Sequence, residues 1–376
     1  MGSDLRRLPR KVLVVGMTEN PGGIEALLMN VLGRTAQDSI RFDFIANVPE
    51  IAFEDCLLGK GCKVYHITMR RESRLRNRID LERLFRDHAS EYDAIWENAN
   101  SLANIDYLVL AKRYGVPVRI MHGHNSTNSE GCIRGVLHAI NRVRVRSVAT
   151  HFWSVSDEAS NWFYGPDYAS LPNYRVISNT IDVERFSYNR RSGEAVRKRF
   201  GIPDNAILLG NAGRLHEQKN QTLFVKILAE LRSRGANAYG LIAGEGALRS
   251  ELEAEAESLG VSKFFLMPGM VEDASALYSA FDLFLFPSLF EGLSIALLEA
   301  QANGVPCLVS DGISDEALLN CNAERCFLSA PPSEWADAAE RLLDMGRTRD
   351  SKVPGSRFDS RYSGALFAGL FPDRRA

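Results

Sequence analysis

From one end of this chain to the other, short apolar runs alternate with stretches of helical period. That alternation restricts the fold to α/β architectures with parallel sheets built from βαβ units. In the first half the expected strands are Lys11–Gly16, Arg41–Ala46, Cys62–Ile67, Tyr92–Glu97, Pro117–His122, Ala149–Val155 and Tyr174–Ser178. Between the first two, Ile24, Leu27, Leu28, Val31 and Leu32 repeat at the spacing of an amphipathic helix. A second series follows residue 205: Ala206–Gly213, Ala238–Ala243, Phe264–Pro268, Asp282–Phe286, Pro306–Val309 and Arg325–Leu328. Phe224, Ile227, Leu228 and Leu231 give its first helix the same buried stripe.

A chain of 376 residues exceeds one ordinary core, so two doubly wound domains of about 150 to 180 residues each are expected. Their bounds are read at 1–186 and 187–355, with the polar run Asn189-Arg190-Arg191-Ser192-Gly193 as a linker and a second loop around residues 345–357. A short apolar helix, Ala365–Phe371, closes the chain and needs a partner for its apolar face. In open parallel sheets the ligand lies beyond the carboxyl ends of the strands, so two such domains facing one another would hold it in the cleft between them. The informative loops should therefore follow strands.

Composition removes several function classes. Net charge is −2, and residues 1–180 hold 23 Lys+Arg against 20 Asp+Glu, a balance of +3 that leaves −5 for the remainder. So small a basic excess argues against a nucleic-acid partner. No run approaches the length of a transmembrane helix, and Met1-Gly2-Ser3-Asp4-Leu5-Arg6-Arg7 lacks the apolar core of a signal peptide, so a cytoplasmic location is expected. Cys56, Cys62, Cys132, Cys307, Cys321 and Cys326 form no CxxC pair and no zinc spacing, which suits reduced, mostly buried thiols.

Six loops carry the chemistry. After the first strand, Gly22 and Gly23 open a helix, where glycine permits close approach of backbone to an anion. This is not GxGxxG, and Asn47 stands where a dinucleotide fold needs an acid, which weakens an oxidoreductase reading. In the second half, Gly213-Arg214 precedes Lys219 by five residues, a guanidinium and an ammonium able to converge on a diphosphate. Gly244 ends the next strand, and Met267, Gly269 and Met270 form a turn whose backbone could edge a nucleobase. Phe290-Glu291-Gly292-Leu293-Ser294 leads into a helix carrying Glu299; backbone N–H groups at its mouth suit an anion, and on a continuous helix the two carboxylates would lie roughly 12 Å apart. In the first half, Met121-His122-Gly123-His124 ends a strand with two histidines, and the sequence leaves open which one faces inward.

Taken together these residues resemble the retaining GT-B glycosyltransferases of glycosyltransferase family 4, particularly those that build bacterial capsules and exopolysaccharides. The resemblance covers nearly the whole chain. It rests on Gly22-Gly23-Ile24-Glu25, Arg119 to Asn125, Ser154-Val155-Ser156, Val176 to Asp182, Gly213-Arg214 with Lys219-Asn220, Pro287-Ser288, and the Glu291/Glu299 pair. It implies two facing Rossmann-like domains with the final helix, about 356–376, returning to the first. It also implies a nucleotide-sugar co-substrate, a UDP-sugar, with Glu299 on the ribose, Glu291 on the donor sugar, Arg214 and Lys219 on the diphosphate, and amides near Gly292, Leu293 and Ser294 completing the phosphate nest. His122 matches the family's first-domain histidine, and no metal or other cofactor is implied; the chain has no Asp-x-Asp element. Thr180 departs from the family pattern, which has glycine there.

The acceptor is less legible. Arg70, Arg71, Arg74, Arg76 and Arg78, with Arg142, Arg144 and Arg146, could face anionic lipid or a lipid-linked diphosphate acceptor, or form a solvated helix surface. The implied partners are thus a nucleotide-sugar donor, a glycan or lipid-linked acceptor, and a peripheral contact at the inner face of the membrane. A UDP-sugar epimerase of the same fold and a non-catalytic nucleotide-sugar-binding module are the alternatives.

Overall fold

The computed structural model describes residues 9–20, 22–36, 38–125, 131–271, 273–291, 293–348, 350–367 and 369–371. The chain divides into two compact units, one formed by Met1–Thr180 with Ser360–Ala376 and the other by Ile181–Asp359.

In the first unit, strands β1 (Arg10–Val15), β2 (Ile40–Ala46), β3 (Val64–His66), β4 (Ala94–Ala99), β5 (Val118–Gly123), β6 (His151–Ser154) and β7 (Tyr174–Val176) form one parallel sheet in the order β3-β2-β1-β4-β5-β6-β7. Its helices are α1 (Gly23–Arg34), α2 (Glu54–Gly59), α3 (Arg74–His88), α4 (Asp106–Arg113), α5 (Cys132–Val148) and α6 (Asp157–Tyr164). Successive residues of β1 go to opposite layers: Val12 and Val14 pack with Leu27 and Leu28 of α1, and Leu13 and Val15 with the core that holds Leu81, Leu108 and Val145 from α3, α4 and α5. A strand covered on both faces must be apolar throughout, which is why it reads as a continuous run.

The second unit repeats the plan. Strands β8 (Ile207–Ala212), β9 (Ala238–Ala243), β10 (Phe265–Gly269), β11 (Leu283–Phe286), β12 (Cys307–Ser310) and β13 (Ala323–Cys326) form a parallel sheet in the order β10-β9-β8-β11-β12-β13. Helices α7 (Arg190–Arg199), α8 (Gln221–Ser233), α9 (Arg249–Ser258), α10 (Ala274–Ala280), α11 (Ile295–Asn303) and α12 (Pro332–Met345) flank it. Strand order reverses between β1 and β4 in one sheet and between β8 and β11 in the other, the places where such sheets open a crevice. Every strand expected from the sequence is present, with ends displaced by no more than two residues.

Four expectations need correction. Residues 189–193 are not a linker: Asn189 accepts the Ser192 amide hydrogen bond (3.1 Å) and caps α7, and Gly193 lets that helix approach α10, since a Cβ there would meet the Ser279 carbonyl oxygen at 2.4 Å. Residues 181–186 pack in the second unit, where Ile181, Val183 and Phe186 join its core. The last apolar segment belongs to the first unit as expected from the resemblance, yet Ser360–Ala365 is a 3₁₀ helix, and residues 366–367 and 369–371 form turns and a bend rather than the expected α-helix. Phe367 supplies the packing, meeting Phe42, Trp96 and Trp153 edge-on at 5.5, 5.3 and 5.8 Å. Finally, of the six free cysteines only Cys307 is buried.

Candidate functional site

Loops following β8, β9, β10 and β11 are laced together at the carboxyl edge of the second sheet. Gly213 (φ +152°) donates to the Ala243 carbonyl at 2.9 Å, Gly244 (φ +151°) to that of Gly269 at 2.9 Å, and Leu215 to that of Glu245 at 2.9 Å. A Cβ on Gly244 would stand 1.9 Å from the Gly213 oxygen, so only glycine lets these two loops touch. Leu215 is buried and anchors the turn, while Arg214 beside it is exposed and makes no ion pair among the described residues. Gln221, wholly buried at the start of α8, donates to the Arg214 carbonyl at 3.0 Å and holds the loop's path.

Lys219 ends a 3₁₀ turn, Glu217–Lys219, and its Nζ donates to Glu291 Oε1 at 2.7 Å across the β8/β11 switch point, 5.0 Å from the centre of the Phe286 ring. Gln218 stitches the same seam: its carbonyl accepts from Leu289 N at 2.8 Å and its side-chain amide donates to the Phe290 carbonyl at 3.0 Å. Sequence reasoning brought Lys219 and Glu291 to neighbouring loops without foreseeing their ion pair. Glu291 itself lies before the helix, bridged in parallel to Ile313, and α11 begins only at Ile295, so the spacing along a continuous helix does not apply. Gly292 lies outside the described residues. Leu293 is half-buried and Ser294 occupies the cap position of α11, where its hydroxyl makes no cap bond among the described residues.

Glu299, one turn into α11, accepts a 2.8 Å hydrogen bond from the Tyr278 hydroxyl on α10. Burial pushes its carboxyl up to about 7, against the pull of that hydrogen bond and of Arg185. Sequence inspection missed Tyr278; nothing local marks an aromatic on a short helix as a carboxylate's partner. Met270 is exposed and Met267 half-buried, its carbonyl taking two hydrogen bonds from Arg249 at 3.2 and 3.3 Å, while Gly269 (φ +83°) turns the chain.

Comparison with known proteins decides what this edge belongs to. The chain is 30% identical over 350 residues to EpsF of Bacillus subtilis (strain 168), a protein named as a glycosyltransferase, covering 90% of this chain and 89% of the relative. Residues 192–352 also match the family model described as glycosyl transferases group 1. The chain belongs to the group 1 glycosyltransferases. A stretch of 156 residues, 41% of this chain and 38% of the relative, is 30% identical to the Escherichia coli UDP-Gal:alpha-D-GlcNAc-diphosphoundecaprenol alpha-1,3-galactosyltransferase. Among solved structures, Anabaena HepE in complex with UDP and glucose superposes with a TM-score of 0.72 at 18% identity, covering 96% of this chain and 95% of that one. The fold is GT-B.

The first unit of this glycosyltransferase carries its own edge. Gly16 (φ +118°) ends β1 against β4, where a Cβ would stand 2.1 Å from the Asn98 carbonyl oxygen. The buried Glu25 accepts from Thr18 N and Oγ1 at 2.7 and 2.9 Å, so the loop before Gly22 and Gly23 is tied to the first turn of α1, which has no side-chain cap. At the end of β5, His122 has no exposed surface: its ring stacks on Trp96 at 6.0 Å, its Nε2 lies 3.3 Å from the Ile177 carbonyl, and its Nδ1 has no partner among the described residues. His124 keeps an exposed edge and holds Asn98 Oδ1 at 2.9 Å, with the two imidazoles 4.2 Å apart. Burial lowers His122 to about 3 and His124 well below the usual imidazole range, so both are neutral. A hollow of about 310 Å³ beyond β1, β2 and β3 is lined by Thr18, Asn20, Asn47, Arg70 and Arg71. Arg70 pairs with Asp106 at 3.1 Å, and Arg146 pairs with Asp167. Thr180, the departure from the family pattern, is accommodated by a hydroxyl contact with Ser363 at 2.9 Å.

Proposed function

We propose that this glycosyltransferase moves a sugar from UDP to a glycan or lipid-linked glycan acceptor in exopolysaccharide or capsule synthesis, with retention and without a metal ion. The observation that carries this reading is the ion pair of Lys219 and Glu291 at the switch point, beside the exposed Arg214 and the uncapped start of α11. An ammonium has three donors, and the bond to Glu291 leaves two for phosphate oxygens. Arg214, Lys219 and the helix amides at Leu293 and Ser294 together place positive charge where a departing nucleoside diphosphate gathers negative charge, the task a metal performs elsewhere. Glu291 orients Lys219 and meets the donor sugar; Glu299 takes the ribose hydroxyls; the backbone of Gly213, Gly244, Met267, Gly269 and Met270 edges the nucleotide. UDP is the nucleotide in the HepE complex and the donor carrier named for the E. coli relative. The diphosphoundecaprenol acceptor named for that relative supports a lipid-linked acceptor here, with Gly22, Gly23 and the hollow at Arg70 and Arg71 as its seat.

His122 and His124 act as a neutral pair in this reading. His122, enclosed by Trp96 and Trp153, fixes the end of β5, and the exposed edge of His124 is the one that meets the transferring sugar. Location on the cytoplasmic side follows from the use of a UDP-sugar; among the described residues no helix is long and apolar enough to cross a membrane.

Thermal melts with UDP, GDP and ADP, followed by UDP release from each UDP-sugar, test the donor assignment. UDP at 100 times its dissociation constant adds about 2.7 kcal/mol of stability. Arg214→Ala is expected to lower transfer by a factor of roughly 10² to 10³. Wild-type turnover in that variant, or selective stabilisation by GDP or ADP, overturns it.

A further inference from the structure

The Lys219 side chain is held on three sides. Its backbone N–H donates to the His216 carbonyl at 2.8 Å, and its stem runs past Gly213, where a Cβ would touch Lys219 Cε at 3.4 Å. Its ammonium meets Glu291 at 2.7 Å and lies over the ring of Phe286, 5.0 Å from the centre. Both charged side chains are largely withdrawn from water, with 15% and 10% of their surface exposed, and Phe286 is wholly buried. Phe284, two residues back on β11, stacks on that ring at 5.5 Å with 20° between the planes and keeps it in one orientation. An ammonium taken out of water loses hydration, and an aliphatic wall gives nothing in its place. The face of an aromatic ring carries negative charge density, so within about 6 Å it attracts the cation.

We propose that Phe286 is a positioning residue for diphosphate binding: its ring face holds the Lys219 ammonium at the β8/β11 switch point, so the aromatic character of residue 286 sets affinity for phosphate. The inference rests on the reading that Lys219 meets the diphosphate. In that reading Glu291 cannot orient the lysine alone, because it also meets the donor sugar and its oxygens are then shared. The Phe286 ring is buried and takes no part in ligand contact, so its hold on the ammonium is the same before and after the donor binds. A second carboxylate at this place would also orient Lys219, but it would occupy another N–H donor and cancel the charge that phosphate needs. The ring orients the ammonium and leaves its charge intact.

Calorimetric binding of UDP and of uridine to the full chain tests the assignment, because uridine keeps the base and ribose and lacks the phosphates. Phe286→Leu is expected to weaken UDP binding by roughly fivefold or more and to leave uridine binding unchanged. Leucine also alters the packing, so a second variant decides: Phe286→trifluorophenylalanine keeps the ring's shape and withdraws charge from its face. It should weaken UDP binding by about threefold or more, again without loss for uridine, while melting at the wild-type temperature. In a Lys219→Met background the same replacement should leave UDP binding unchanged, since the ring then has no cation to hold. Three results overturn the proposal: equal UDP binding by wild type and the fluorinated protein, a loss that uridine shares in full, or a loss that persists with Lys219→Met. Absence of UDP binding by wild type instead sinks the donor reading, and this inference falls with it.

Discussion

At the carboxyl edge of the second sheet the polar groups are paired yet within reach of solvent: Lys219 holds Glu291, Arg214 stands exposed, and Tyr278 holds Glu299. At the same edge of the first sheet the strand end is sealed, with His122 enclosed by Trp96, Trp153 and Ile177 and a ring nitrogen left unpaired among the described residues. One architecture therefore supports two electrostatic designs. At one edge charged side chains stay within reach of solvent; at the other strand end a neutral histidine is closed over by aromatics. Beneath the difference lies a shared device, a glycine at positive φ where two strand-end loops meet: Gly16 against Asn98 in one unit, Gly244 against Gly213 in the other.

The largest expected effect tests that shared device. Gly16→Ala and Gly244→Ala each drive a Cβ to about 2 Å from a carbonyl oxygen, at a φ that L residues avoid. Each should destabilise its own unit by more than about 3 kcal/mol, read as loss of one transition in a two-step urea melt. If either variant unfolds like wild type, the two edges are not built alike.

The second prediction separates the units by pH. His122 is held near 3 in the folded chain and is ordinary when unfolded, so between those values the unfolded chain binds the extra proton and stability falls as pH falls. His124 acts in the same direction, and Glu97, raised to about 8 by burial with Asp106 adding to it, acts in the opposite one. His122→Phe removes one proton from this balance. Between pH 6 and 4.5 the first unit's stability should lose about 1.4 kcal/mol per pH unit of slope relative to wild type, while the second unit's slope stays the same. Parallel curves for wild type and variant would show that His122 is not buried neutral.

What the sequence reveals follows from the same contrast. The central strands, such as β1, β8 and β11, were legible because burial on both faces demands an apolar run, and loops after β8 to β11 were legible because glycine and charge have few other reasons to meet there. Misreadings fell where local composition and tertiary packing disagree. Asn189 to Gly193 is polar enough for a linker, yet caps and starts a helix because Asn189 bonds Ser192 and Gly193 fits against Ser279. Ala365 to Phe371 is apolar enough for a helix, yet is shaped by Phe367 entering an aromatic pocket. Burial of His122 and the Tyr278 partner of Glu299 depend on residues distant in sequence, and spacing carries no trace of them.

The smallest expected effect sharpens the second unit's side of the comparison. Glu299, held near 7, has a folded value above the ordinary carboxylate one, so the stability linked to its proton is complete at low pH and is lost as pH rises through 7. The ionised form is thus a cost to the fold, and a ribose that donates to the carboxylate offsets it. UDP binding should therefore strengthen as pH rises from 6 to 8, with a midpoint near 7. Tyr278→Phe removes the hydrogen bond that favours the ionised form, which raises Glu299 further, moves that midpoint upward and weakens UDP binding at neutral pH by roughly 0.5–1.5 kcal/mol. Titration calorimetry across this range measures both. Binding of UDP that ignores pH in wild type would mean that Glu299 is not the ribose ligand and that the charge kept at this edge serves Lys219 and Arg214 alone.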